Sequence, residues 1–153
     1  LLPAAVLALA VGWADFRLAN TARTAAAKIS ERVKGEQGTV WFEGHWGFQY
    51  YMLAAGGRDF DLSHPASKPG DILINPYNNT DVYFYGAEFL DSLGTFDFPA
   101  CGWLTTVQSR LGAGFYSAIW GPLPYVFSRV PAERYAIWRL KLPSEFKLKE
   151  SQD

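Results

Sequence analysis

Residues 1–14, LLPAAVLALAVGWA, carry no charged side chain, and the first charge arrives at Asp15. No other stretch restricts the fold as strongly. As a helix rising about 1.5 Å per residue, such a run is roughly 21 Å long, shorter than the roughly 30 Å hydrocarbon core of a bilayer. Three readings are open: the end of a membrane-spanning helix, a signal-peptide hydrophobic region without its basic leader, and an ordinary buried helix. The chain opens at Leu1, and its one methionine is Met52. The run is therefore expected to continue upstream as a membrane-spanning helix. Trp13 and Phe16 agree with this, because aromatic rings favour the membrane–water boundary.

From residue 15 to residue 35 the pattern becomes an amphipathic helix. Ala22, Ala26, Ile29 and Val33 recur at helical spacing and form one face, while Arg17, Arg23, Lys28 and Arg32 mostly occupy others. Arg32 and Lys34 complement the helix dipole in the last turn, and Gly35 suits a left-handed cap. The basic side chains read as a solvated face or as contacts to lipid headgroups. By the positive-inside rule they belong in the cytoplasm.

Beyond the helix the chain reads as one folded unit, residues 38–141, with a charged tail at 142–153. Lys and Arg number 14 against 15 Asp and Glu, a net charge of -1. No basic excess points to nucleic acid as a partner. Hydrophobic residues make up 49% of the chain, enough for a core and far from a disordered composition. Cys101 stands alone, which excludes an internal disulfide and a cysteine-based zinc cluster.

The fold class expected is α/β: the long helix, then a small α/β sandwich with a βαβ opening and a mixed sheet. A β-type run at 39–43, a helix at 48–55 closed by Gly56 and Gly57, and a strand at 71–75 supply the opening. Further strands are expected at 82–85, 103–109, 125–129 and 135–141. In the last, Tyr135, Ile137 and Arg139 face one way and Ala136, Trp138 and Leu140 the other.

Glu43 and His45 fall at the carboxyl end of the first strand, the edge where α/β sheets bind ligands. They are weak catalytic candidates as a carboxylate–imidazole pair. The plainer expectation is a structural role, with His45 capping the next helix. His45 and His64 with Asp59 and Asp61 between them lack the close paired spacing of zinc ligands, so no metal is expected. No nucleophile elbow, P-loop or complete dinucleotide fingerprint is present, and no cofactor is expected in this segment. Asn78-Asn79-Thr80 matches a glycosylation sequon. Core packing is the first duty of the aromatic clusters. Trp46, Tyr50, Tyr51 and Trp120 are in addition candidates for contact with a glycan or a lipid-linked sugar.

The string VWFEGHWGFQYYM, residues 40–52, resembles the start of the soluble C-terminal domain of some bacterial polytopic membrane proteins. These are similar to glycosyltransferases of the protein O-mannosyltransferase and aminoarabinose-transferase type. The string YSAIWGPLP at 116–124, with Glu133-Arg134-Tyr135, resembles their ends. ADFRLAN at 14–20 resembles the exit from their last transmembrane helix. The resemblance runs from about residue 10 to residue 140. It implies a polyprenyl-phosphate sugar donor and a catalytic carboxylate in an early extracytoplasmic loop that no position here matches. It places the domain in the periplasm, on the inner membrane, against the positive-inside signal; Asp15, Glu31 and Glu36 among the basic residues dilute that signal.

The function expected is therefore an extracytoplasmic accessory domain, with the catalytic site outside this chain. Its expected partners are the transmembrane part of its own parent protein, the lipid bilayer, and a lipid-linked sugar or glycan acceptor. The alternatives are a membrane-anchored non-catalytic binding module and a small stand-alone enzyme using Glu43 and His45.

Overall fold

The computed structural model describes residues 1–61, 66–83, 85–86 and 88–141. The charged tail and His64 lie outside these residues. An unbroken helix α1, Leu2–Val33, spans both the uncharged run and the amphipathic stretch. Its buried residues, Ala14, Thr21, Ala25, Ala26, Ile29 and Val33, form a stripe at helical spacing. Gly35 takes φ +88° just past the helix, and the Glu36 N–H closes the turn on Val33 O at 3.0 Å. Among the described residues α1 is the one helix long and apolar enough to cross a membrane. Its qualifying 18-residue window has a mean hydropathy of 1.5 and is 6% buried.

After α1 come β1 (Val40–Phe42), α2 (Trp46–Ala54), β2 (Arg58–Asp59) and β3 (Ile72–Pro76). Strands β1 and β2 are parallel neighbours joined through α2, and β3 lies parallel to β1 on its other side. The βαβ opening expected with 71–75 as its second strand is present, β3 being parallel to β1, and β2, which the sequence reading did not foresee, adds on the other edge of β1. The mixed sheet is completed by β4 (Leu90–Phe98) and β9 (Glu133–Leu140), in the order β2-β1-β3-β9-β4, with β9 antiparallel to both neighbours.

The sheet buries its two faces differently. Phe42, Ile72, Ile74, Phe98, Tyr135 and Ile137 point towards α1 and α2 and meet Ala25, Ala26, Ile29, Val33, Phe48 and Met52. On the other face Trp41, Leu73, Leu90 and Leu140 pack with Phe60, Tyr85, Phe89 and Trp138. The alternation expected in β9 is thereby realised.

Two expected strands differ. At 82–85 no strand forms among the described residues; the Tyr83 N–H, which a ladder would use, goes to the Glu43 carboxylate, which also accepts from the Tyr85 hydroxyl. At 103–109 the run divides at Thr106 into β5 (Leu104–Thr105) and β6 (Val107–Gln108). Thr106 gives its hydroxyl to Asp15, and its carbonyl accepts from the Phe115 N–H. The two pieces pair separately, β5 with β8 (Val126–Phe127) and β6 with β7 (Ala113–Gly114). The sequence reading also missed β4, whose period is broken by a bulge between Ser92 and Gly94.

The helix runs against β1. Glu36, beyond its end, binds Arg139 of β9 at 2.6 Å near the start of β3, whereas Asp15 and Ala22 lie by the carboxyl ends of β1 and β3. A third small cluster joins Ala14, Cys101 and Leu104 with Ala10, Val11 and Tyr125. Cys101 is a buried free thiol.

Candidate functional site

Where β1 ends, the chain turns at Gly44 with φ +83°, and a Cβ there would lie 2.8 Å from both Asn79 and Pro76. Only glycine lets the loop after β3 approach this closely. The two turns then clasp: the His45 N–H donates to Asn79 Oδ1 at 2.9 Å, and Asn79 Nδ2 donates to His45 O at 3.2 Å. The His45 ring reaches Asp81, with Nε2 to Oδ2 at 2.5 Å, at an exposed rim. His45 occupies the N-cap position of α2, but its side chain makes no capping hydrogen bond, so the expected capping role falls away.

Glu43 points elsewhere and is 1% exposed. Its carboxylate accepts from the Asn75 side-chain amide, the Tyr83 N–H at 2.9 Å and the Tyr85 hydroxyl. Burial pushes its pKa up to about 7, and the three donors hold it from going higher. Glu43 and His45 thus have separate partners and do not act as a carboxylate–imidazole pair.

Beside the clasp lies a cleft of about 390 Å³ between residues 15–22 of α1, the start of α2, the loop after β3 and the 107–120 segment. Trp46, Tyr51, Tyr116 and Trp120 supply aromatic walls, and Asp15, His45, Asn78 and Glu133 supply polar ones. Trp46 is exposed and adopts φ +63°, a left-handed conformation that costs a bulky residue about 1–2 kcal/mol. The Asp15 carboxylate accepts from Thr106 Oγ1 at 2.7 Å and from the Tyr116 hydroxyl at 2.6 Å. That bond, together with burial, pushes the Tyr116 pKa up to about 12.

Glu133 is 5% exposed, and Asn78 Nδ2 donates to its Oε1 at 3.0 Å. Burial pushes its pKa up to about 7, against the pull of this single donor. Asn78 Nδ2 also donates to Val107 O at 3.2 Å, while its buried Oδ1 has no hydrogen-bond partner among the described residues. The sequon asparagine is thus part of the cleft wall.

Of the sequence candidates, Trp46, Tyr51, Trp120 and His45 line the cleft, whereas Tyr50 and Glu43 do not. Tyr50 packs edge-on against Tyr51 with ring centroids 5.2 Å apart. Asp15, Asn78 and Glu133 were missed as site residues. Glu133 was discoverable: carrying the β9 alternation back two residues from Tyr135 puts a carboxylate on the core-facing side. Among the described residues, no group of three or more His, Cys, Asp or Glu is placed to hold a metal ion. Comparison with protein-family models, with curated proteins and with solved structures returns no match for this chain.

Proposed function

We propose that this chain is the periplasmic, membrane-tethered accessory domain of a glycosyltransferase-like inner-membrane protein that uses a polyprenyl-phosphate sugar donor. Its own task is to hold a sugar, of the lipid-linked donor or of the acceptor, in the cleft beside α1. The observation that carries this reading is position. The cleft is built on residues 15–22 of α1, immediately after the uncharged run that ends at residue 14. A helix crossing a membrane through that run brings the cleft to the bilayer surface, within reach of a lipid-linked headgroup.

The lining fits a sugar. Aromatic faces pack on the C–H faces of a pyranose, while carboxylates and amides take its hydroxyls. Trp46 and Tyr51 supply such faces near Asn78 and Glu133. The volume lies in the range of small-ligand sites, roughly 300–1,000 Å³. The stand-alone enzyme reading has less support, since Glu43 is sealed and His45 is engaged with Asp81.

Binding to the full chain in nanodiscs is the test, with short-chain polyprenyl-phosphate mannose and glucose as probes and the sugar-free polyprenyl phosphate as control. Trp46→Ala and Glu133→Gln are each expected to weaken binding of the sugar-bearing lipid about tenfold, or 1.4 kcal/mol. Equal binding of the sugar-free lipid, unaffected by either variant, would overturn the sugar-holding role.

A further inference from the structure

Between Asp97 and Arg129 the chain carries a single charged side chain, Arg110. This second, nearly uncharged stretch is far from residues 1–14 in sequence, yet the fold packs the two together. Cys101, Leu104 and Tyr125 meet α1 at Ala10, Val11 and Ala14, inside its uncharged run. The outer side of the stretch is apolar and open. Trp103 and Phe127 stack with centroids 5.8 Å apart and planes 17° from parallel, and each is more than half exposed. Ile119 is 72% exposed, with Phe115 and Leu123 also exposed. On α1, Trp13 and Phe16 are exposed as well, and none of residues 1–9 is buried.

A bilayer that accepts α1 up to Ala14 must also accommodate whatever is packed on Ala10 and Val11. The geometry points to residues 99–128 as an interfacial collar, seated in the headgroup and upper acyl region of the bilayer that α1 crosses. This inference rests on the membrane-tether part of the proposed function and is independent of the sugar. Two features favour lipid over a protein partner as the occupant. The exposed rings are Trp, Phe and Tyr with almost no charge among them, the composition of a membrane interface belt rather than of a charged rim around a protein contact. Part of the backbone is tied across the segment, which lowers the cost of seating it among headgroups. The Ser128 N–H bonds Trp103 O at 3.1 Å, Val130 N–H bonds Gly102 O at 3.0 Å, and Leu123 N–H bonds Gly112 O at 3.0 Å. The Gly114 N–H in turn bonds Leu123 O at 2.7 Å.

The test uses the full chain, in a Cys101→Ala background, reconstituted into vesicles of phosphatidylethanolamine and phosphatidylglycerol. Nitroxide labels are attached through Val6→Cys, Ile119→Cys, Phe127→Cys and Leu53→Cys. Collisions with oxygen, which concentrates in lipid, are compared with those of a water-soluble nickel chelate. The ratio of oxygen to nickel collisions at 119 and 127 is expected to exceed that at 53, on α2, by about fivefold, with the label at 6 deeper still. Water-like values at 119 and 127 with a lipid value at 6 overturn the collar and leave the tether standing. A water-like value at 6 overturns both. Labels at 119 and 127 shielded from both reagents mean a protein covers the patch, which also overturns the collar. Brominated lipid supplies a label-free check: it should quench the unlabelled full chain more than its Trp103→Phe variant, and equal quenching counts against insertion.

Discussion

The two ends of the sheet surround the buried carboxylates Asp71 and Glu133 differently, while Glu43 at the carboxyl end keeps three donors as Asp71 does. At the amino end of β1 and β3, Asp71 accepts from Thr39 N–H at 2.8 Å, Trp41 Nε1 at 2.8 Å and Lys68 N–H at 2.9 Å. Nearby, Glu36 ties the end of α1 to Arg139. At the carboxyl end, Glu133 has one side-chain amide as donor and borders an open cleft. Left-handed Trp46 and Asp81 stand at this end too, as do the side-chain oxygens of Asn75 and Asn78, which have no hydrogen-bond partner among the described residues. The amino end follows the rules of a satisfied interior apart from Ser67 Oγ, which is buried with no hydrogen-bond partner among the described residues. The carboxyl end departs from several at once, which is where a binding site is expected.

The strongest test of this contrast removes apolar volume. Ile29, fully buried between α1 and the sheet, should cost about 2–4 kcal/mol when replaced by Ala, whereas Leu9→Ala should change stability by less than about 0.5 kcal/mol. Denaturant unfolding of both variants checks this, and a large effect at Leu9 would place it in the core. A chain beginning at Gly38 loses Ala25, Ala26, Ile29 and Val33 from the main core and should show no cooperative thermal transition.

Next is the carboxylate contrast. Asp71→Ala strands two backbone N–H groups and an indole N–H, for a cost of about 3 kcal/mol. Asp81→Ala breaks an exposed contact to His45 and should cost less than about 1 kcal/mol. Urea midpoints of the two variants measure the difference.

The third test is pH. Burial raises the folded-state pKa of Glu43 and of Glu133 from 4.5 to about 7. Between these values the folded chain binds more protons than the unfolded one, so stability falls as pH rises. The contribution is full below about pH 4.5 and lost as pH passes through 7. Each group accounts for about 3 kcal/mol across that window. Unfolding curves at pH 5 and pH 8 should therefore diverge for the parent chain. Glu43→Gln and Glu133→Gln should each flatten the dependence. An unchanged pH slope in both variants would mean that burial does not govern these carboxyls.

The smallest effect separates fold from site. Trp46→Gly relieves the left-handed strain and removes a ring that is mostly solvent-exposed. Melting temperature should stay level or rise, by less than about 1 kcal/mol in stability, even as sugar-lipid binding falls. A large drop in melting temperature would make Trp46 part of the core.

Much of the architecture was legible. The amphipathic stripe of α1, the βαβ opening and the alternation of β9 are periodic signals, written locally and read locally. Strand β4 was not, because its bulge inverts the alternation midway and hides the period of two. The 82–85 and 103–109 segments misled for another reason. Their composition suits strands, but the Tyr83 N–H of the first goes to the Glu43 carboxylate, and the Thr106 carbonyl of the second accepts from the Phe115 N–H at the point where the run divides. Of the site, the aromatic walls Trp46, Tyr51 and Trp120 and one polar group, His45, were legible. The remaining polar groups depend on bonds such as Asn78 to Glu133 and Asp15 to Thr106, which join residues 55 and 91 positions apart.

The sequence by itself determined the helix with its uncharged start, the α/β class and the aromatic supply at Trp46, Tyr51 and Trp120. Each follows from composition or from a period within a few turns of chain. Tertiary structure alone decided that Glu43 is sealed while Glu133 borders a cleft, and that the nearly uncharged 98–128 stretch packs on α1. The physical reason is that burial and hydrogen-bond partners set a carboxyl's chemistry. Those partners are assembled from distant segments only when the sheet and α1 close on each other.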